Sequence, residues 1–330
     1  MSRTFNIAVY AADTLAGETL VQQLADKPLP ILNLLPISES PEPATVEFHG
    51  ETLECVASDD ADVTNTDFLL MPAGCNRNAQ LMTRAIESGC TVIDASKGAA
   101  VQGYTLPVLP GLNEHLLAEL AENRYLAVPG SAAASLLPLL QRIQQQFSLS
   151  RINLVLMQPA AALGKSGVET LRQQTIELLN GKPVEQGDFA QRLAYNLVPE
   201  QNSQEVTQEA MIRSELLVAL GEDLDVRVTN IFAPVFFGDS CVVDMDTVQP
   251  VDIHEIQSLL AEFPEVSLAE ADEVPTIADA AGSDQLHIGK LYQKSDYGTD
   301  LSFWLVVDSF KRGAVHTVEL IELLIKGFAE

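Results

Sequence analysis

Short, nearly continuous apolar runs at residues 4–10, 31–35, 68–71 and 91–94 alternate with segments of helical periodicity at 17–24 and 79–88. Continuous apolar runs predict strands buried on both faces, and their alternation with helices predicts a parallel, doubly wound sheet. Pro28 and Pro30 end the first helix, and Gly89 stops the second. A Pro-, Glu- and Ser-containing stretch at 36–43 is expected to be a polar loop. Beyond residue 131 the pattern changes. Runs at 152–157, 226–231 and 301–307 alternate in part, which suits a mixed sheet covered on one face. Helices are predicted over 167–179, 251–263 and 314–328, and 265–284, acidic and Ala-rich, is expected to be surface loop.

At 330 residues, two domains are expected. The composition, 47% hydrophobic and 20% charged, is that of a soluble globular chain, but the net charge of -27 is unusual. It argues against nucleic acid and against anionic membrane surfaces, since both recruit clustered Lys and Arg. No apolar run approaches the length of a membrane span, so a cytoplasmic protein is expected. Cys55, Cys75, Cys90 and Cys241 form no C-x-x-C pair and read as reduced thiols. The histidines are scattered without ligand spacing, so no metal is expected.

The most informative segment is Tyr125-Leu-Ala-Val-Pro-Gly-Ser131-Ala-Ala-Ala-Ser135. A strand passing through a tight turn into a helix N-terminus is where a nucleophile would meet exposed backbone N–H groups. Here the position holds serine. Val92-Ile-Asp-Ala-Ser96, Leu106-Pro-Val-Leu-Pro110, Tyr195-Asn-Leu-Val-Pro199, Pro234-Val-Phe-Phe-Gly238 and the tail from Trp304 to Leu324 accompany it. In this order they resemble aspartate-semialdehyde dehydrogenase along essentially the whole chain, and within that family its Usg-type paralogues.

The resemblance implies a Rossmann-like NADP-binding domain, 1–130 with 313–330, and a second α/β catalytic and dimerisation domain, 131–312. The closing helix would return to the first domain. It also implies interconversion of an acyl phosphate and an aldehyde through a cysteine thioester, with a histidine moving the proton and two arginines holding the substrate's anions.

Several family positions have changed. The nucleophilic cysteine corresponds to Ser131, the histidine to Asp239, the carboxylate-binding arginine to Phe232 and the phosphate-binding arginine to Ala100, with Lys97 three residues upstream. Met211 stands where a lysine is expected, whereas Glu215 and Gln158 are matches. Glu215 reads equally well as an exposed helix residue. The glycine-rich cofactor turn reads Ala11-Ala-Asp13-Thr14-Leu-Ala-Gly17, keeping only the glycine that permits helix–strand packing. Asp13 puts a carboxylate where phosphate would sit, and Ser40, flanked by Glu39 and Glu42, replaces a basic residue for the ribose phosphate. Repulsion of about 1–2 kcal/mol per misplaced charge weakens binding roughly tenfold.

The resulting expectation is an inactive homologue that keeps the dimeric fold for a structural, regulatory or binding role. No cofactor is expected, or NADP if the cleft still accepts nucleotide. A homodimer is expected, with a mixed dimer alongside an active relative as a refinement. The alternative is a redirected or weak NAD(P)-dependent dehydrogenase, for which Ser131, Asp239, Glu215 and Cys75 are candidate groups.

Overall fold

The structure, a computed structural model, describes residues 3–96, 108–117, 123–201, 207–270, 272–294 and 298–327. The chain divides into two compact units, Met1–Ala134 with Phe310–Glu330, and Ser135–Ser309.

In the first unit β1 (Phe5–Tyr10) leads through a tight turn into α1 (Leu15–Asp26), and β2 (Ile31–Ser38) follows. A hairpin, β3 (Thr45–Phe48) and β4 (Glu51–Glu54), stands apart from the main sheet. Then come β5 (Val56–Ala57), β6 (Phe68–Met71), α2 (Ala79–Glu87), β7 (Thr91–Asp94) and β8 (Tyr125–Ala127). The main sheet is parallel, in the order β5-β2-β1-β6-β7-β8. Every residue of β6 and β7 is buried, as strands covered on both faces require.

The expected loop from residue 36 starts later, because β2 continues to Ser38. Pro36 is tolerated within it because β5 pairs only with Ile37 and Ser38, so the strand is an edge where the proline's N–H is missing.

The helix α3 (Ser131–Phe147) begins in the first unit and continues into the second. There follow β9 (Leu149–Gln158), α4 (Gly164–Leu179), β10 (Val198–Pro199), α5 (Gln208–Leu220), β11 (Asp225–Phe232) and β12 (Asp239–Thr247). The unit is completed by α6 (Ile253–Ala261), β13 (Val266–Leu268), α7 (Ile277–Ala280), β14 (Leu286–Tyr292) and β15 (Asp300–Val307). The sheet is mixed, in the order β10-β11-β9-β12-β15-β14-β13. Burial alternates along β9 from Ile152 to Gln158, which gives the sheet one fully covered face.

The expected loop at 265–284 instead holds β13 and α7. The first is a three-residue edge strand, and the second is fastened by a capping box between Thr276 and Asp279. Both are too short to leave a periodic pattern. The closing helix α8 (Ser309–Gly327) contributes Ser309 to the second unit and the rest of its length to the first.

Candidate functional site

In the first unit the turn after β1 is tightly closed upon itself. Ala11 is fully buried and adopts φ of 50°, a left-handed conformation that glycine reaches without strain. Its carbonyl accepts from Thr14 N at 3.1 Å and Thr14 Oγ1 at 2.8 Å. Thr14 then caps α1 by accepting from Gly17 N at 3.1 Å. Gly17 has no alternative, since an added Cβ would lie 2.0 Å from the Ala11 oxygen.

Asp13 is held by Ser38, whose Oγ donates to Oδ2 at 3.0 Å. Ser40 N donates to Ser38 Oγ, and Ser40 Oγ accepts from Glu42 N. Glu39 accepts from Asn76 N at 2.8 Å. A pyrophosphate therefore meets a fixed carboxylate, and the amides of Ala12, Thr14 and Gly17 are already bonded within the protein.

Ser131 is the first residue of α3, and α8 passes directly against it. A Cβ added to Gly313 would lie 2.7 Å from Ser131 Oγ. One turn along α8, Arg312 Nη2 lies 3.2 Å from His316 Nε2, both side chains buried, and His316 Nδ1 lies 3.6 Å from Glu319 Oε2. Burial raises the Glu319 pKa, but His316 and Arg312 outweigh it and leave the carboxyl below its ordinary range. This cluster was not anticipated; polar residues at i, i+4 in an otherwise apolar helix were the available signal.

A second unanticipated cluster joins Asp94, Tyr125 and Arg77. Tyr125 Oη donates to Asp94 Oδ2 at 2.9 Å, and Arg77 Nε lies 3.4 Å from the same oxygen. Cys75 is a buried thiol. Lys97 and Ala100 lie outside the described residues.

In the second unit the sheet register brings Phe232, Gln158 and Asp239 together. Phe232 pairs with Gln158, and Asp239 with Val307. Met157 pairs with Ser240, so the next residues outward on these two strands are Gln158 and Asp239. The row lies on the covered face of the sheet. Asn230 Nδ2 donates to Gln158 Oε1 at 2.9 Å and lies 3.3 Å from Glu200 Oε2.

Asp239 is 3% exposed, and its Oδ2 accepts a hydrogen bond from Ser309 Oγ. Burial drives its pKa up to about 7; Asp308 adds to the rise, and the Ser309 hydroxyl and amide oppose it. Phe232 packs edge-on against Phe189, with ring centroids 5.4 Å apart. Glu215 is buried in α5, correcting the exposed-helix alternative, and Met211 is buried beside it. Among the described residues no group of three His, Cys, Asp or Glu could hold a metal ion, and no helix is long and apolar enough to cross a membrane.

A doubly wound parallel sheet followed by a mixed-sheet unit with this row at a strand end defines a two-unit α/β protein. Residues 137–310 match the family model described as semialdehyde dehydrogenase, dimerisation domain. The chain belongs to the aspartate-semialdehyde dehydrogenase family. It is 31% identical to a USG-1 protein homolog from Pseudomonas aeruginosa, over 99% of this chain and 100% of that one. The crystal structure of aspartate semialdehyde dehydrogenase II from Vibrio cholerae, complexed with ASA, superposes with a TM-score of 0.91 at 27% identity, covering 99% of this chain and 100% of that one. The aspartate semialdehyde dehydrogenase of Candida albicans, solved with NADP, shares the fold at a TM-score of 0.73 and 12% identity, covering 99% of this chain and 100% of that one.

Proposed function

We propose that this chain is a catalytically inactive member of its family, retaining the dimeric scaffold for a structural, regulatory or binding role. The observation that carries this reading is Ser131. It is an alcohol, with Oγ packed against Gly313, at the position where thioester formation requires a thiol. Asp239 supports it, because a buried carboxyl engaged with Ser309 replaces the imidazole that would move the proton. The closed turn at Ala11 to Gly17 supports the absence of bound NADP. The match to the dimerisation domain supports a homodimer, and a mixed dimer with an active relative would use the same surface.

The test is purified protein incubated with aspartate semialdehyde, phosphate and NADP, with NADPH followed by absorbance. Enzymes ordinarily turn over about 1–1,000 times per second; here the expected result is no production above a protein-free control. Turnover that co-purifies with the chain and vanishes in Ser131→Ala would overturn the proposal.

A further inference from the structure

The mixed sheet of the second unit has a second face, and its register names the residues there. Val155 of β9 pairs with Thr229 of β11 and Val242 of β12, and Val242 pairs with Trp304 of β15. Two residues along, Met157 pairs with Ile231. These side chains alternate with the buried Leu154, Leu156 and Val243, so they lie on the face opposite the core. Over β14 and β15 that face is covered. A Cβ added to Gly289 would lie 2.4 Å from Pro275 Cδ, and Trp304 Nε1 donates to the Pro275 carbonyl at 2.8 Å. Over β11, β9 and β12, by contrast, Val155, Met157, Ile231 and Val242 are only half-buried.

Beside this apolar row the charges are matched. Arg151 Nη2 lies 2.9 Å from Asp246 Oδ2 on the neighbouring strand, Lys294 Nζ 3.2 Å from Asp244 Oδ1, and Arg227 Nη2 3.3 Å from Asp225 Oδ2. Around the polar hollow of about 230 Å³ that most of them line, Asp300 is the one further charged group. Three cations thus stand among four carboxylates, a local charge of -1 in a chain that carries -27.

Two copies of so acidic a chain repel wherever their anionic surfaces meet. A near-neutral rim removes that repulsion locally, and an apolar centre with a polar edge is the layout of an association surface. In a two-fold pair one patch meets itself, so it must present both signs of charge, as this one does. We propose that the open face of β11, β9 and β12 docks a second copy of this chain, with the ion-paired rim suppressing the repulsion between the two. This rests on the homodimer reading and names the surface that serves it.

The test is sedimentation velocity of the full chain at micromolar concentration. The unaltered chain is expected to run as a dimer. Val242→Glu sets a carboxylate in the apolar row and should give a folded monomer. Arg227→Glu turns a matched pair into two carboxylates and should weaken the dimer about tenfold or more, whereas Arg227→Lys should stay within about twofold. Arg3→Glu makes the same change in net charge at an ion pair of the first unit, Arg3 with Asp67 at 3.0 Å, and should also stay within about twofold. Circular dichroism verifies each fold. The Arg227 side chain is 68% exposed, so its variants carry the test even if Val242→Glu does not fold.

The proposal is overturned if the unaltered chain is a monomer, or if it dimerises and neither Val242→Glu nor Arg227→Glu weakens it. It is also overturned if Arg3→Glu weakens the dimer as much as Arg227→Glu, which would make net charge alone responsible. A chain that is monomeric alone and pairs only with an active relative refutes it too. These failures separate: a monomer refutes the homodimer reading itself, whereas a dimer indifferent to both face variants refutes only the face. The turnover assay judges inactivity independently of either.

Discussion

Gly313 of α8 faces Ser131 at the start of α3 so closely that a methyl carbon added to the glycine would lie 2.7 Å from the serine Oγ. Ser131 is thus a packing contact inside the first unit. Gly313→Ala should lower stability by about 1–3 kcal/mol, the usual penalty for overpacking. Ser131→Ala removes the clashing oxygen, so the double variant should recover about 1 kcal/mol or more of that loss. Urea unfolding of the four proteins in the cycle measures the coupling, and simple additivity would refute the contact.

Asp239 should make stability depend on pH in a direction opposite to most carboxylates. Its folded pKa, about 7, lies above the unfolded value near 3.9, so the folded state holds its proton more tightly. The contribution is fully present below the unfolded pKa and declines as pH rises through the folded pKa. Asp239→Asn removes this titration. Between about pH 5 and pH 8 the stability difference between variant and unaltered chain should move by at least about 1 kcal/mol in favour of the variant. Melting curves across that range test the sign.

Asn230 binds Gln158 and approaches Glu200 through one amide, and its backbone N–H donates to Glu209 Oε1 at 2.8 Å. Asn230→Ala leaves the buried Gln158 oxygen without its donor and should cost about 1–3 kcal/mol. Asn230→Asp should be at least as damaging, because it places a carboxylate beside Glu200. Chemical denaturation at matched pH gives both values.

Gly17→Ala should be the most destructive single substitution in the first unit. The new carbon would approach the Ala11 carbonyl oxygen to 2.0 Å, and backbone must move to accommodate it. A loss of at least about 3 kcal/mol, or failure to accumulate as folded protein, is expected. An ordinary melting temperature would refute it.

Much of this architecture was legible because particular strands carry little ambiguity. Phe68-Leu-Leu-Met71 has no polar residue, so only burial on both faces accommodates it. By contrast β12 interleaves Asp244 and Asp246 with Val243 and Met245, and the pattern was not recognised as a strand. The hairpin β3–β4 carries Glu47, Glu51 and Glu54 and has no dense apolar face to announce it. The family resemblance singled out Gln158, Phe232 and Asp239 separately as candidate site residues. Their meeting in one row depends on strand register, which neither local spacing nor composition encodes. The Asp239–Ser309 bond joins residues far apart in the chain and had no local signal at all.

Gly17 illustrates how packing alone can require a motif glycine. Because its missing side chain makes room for a neighbouring peptide oxygen, mutation would be purged by misfolding alone, with or without any dinucleotide. Persistence of that glycine across descendants would consequently testify to steric necessity, and a genome survey could not take it alone as a marker of redox competence.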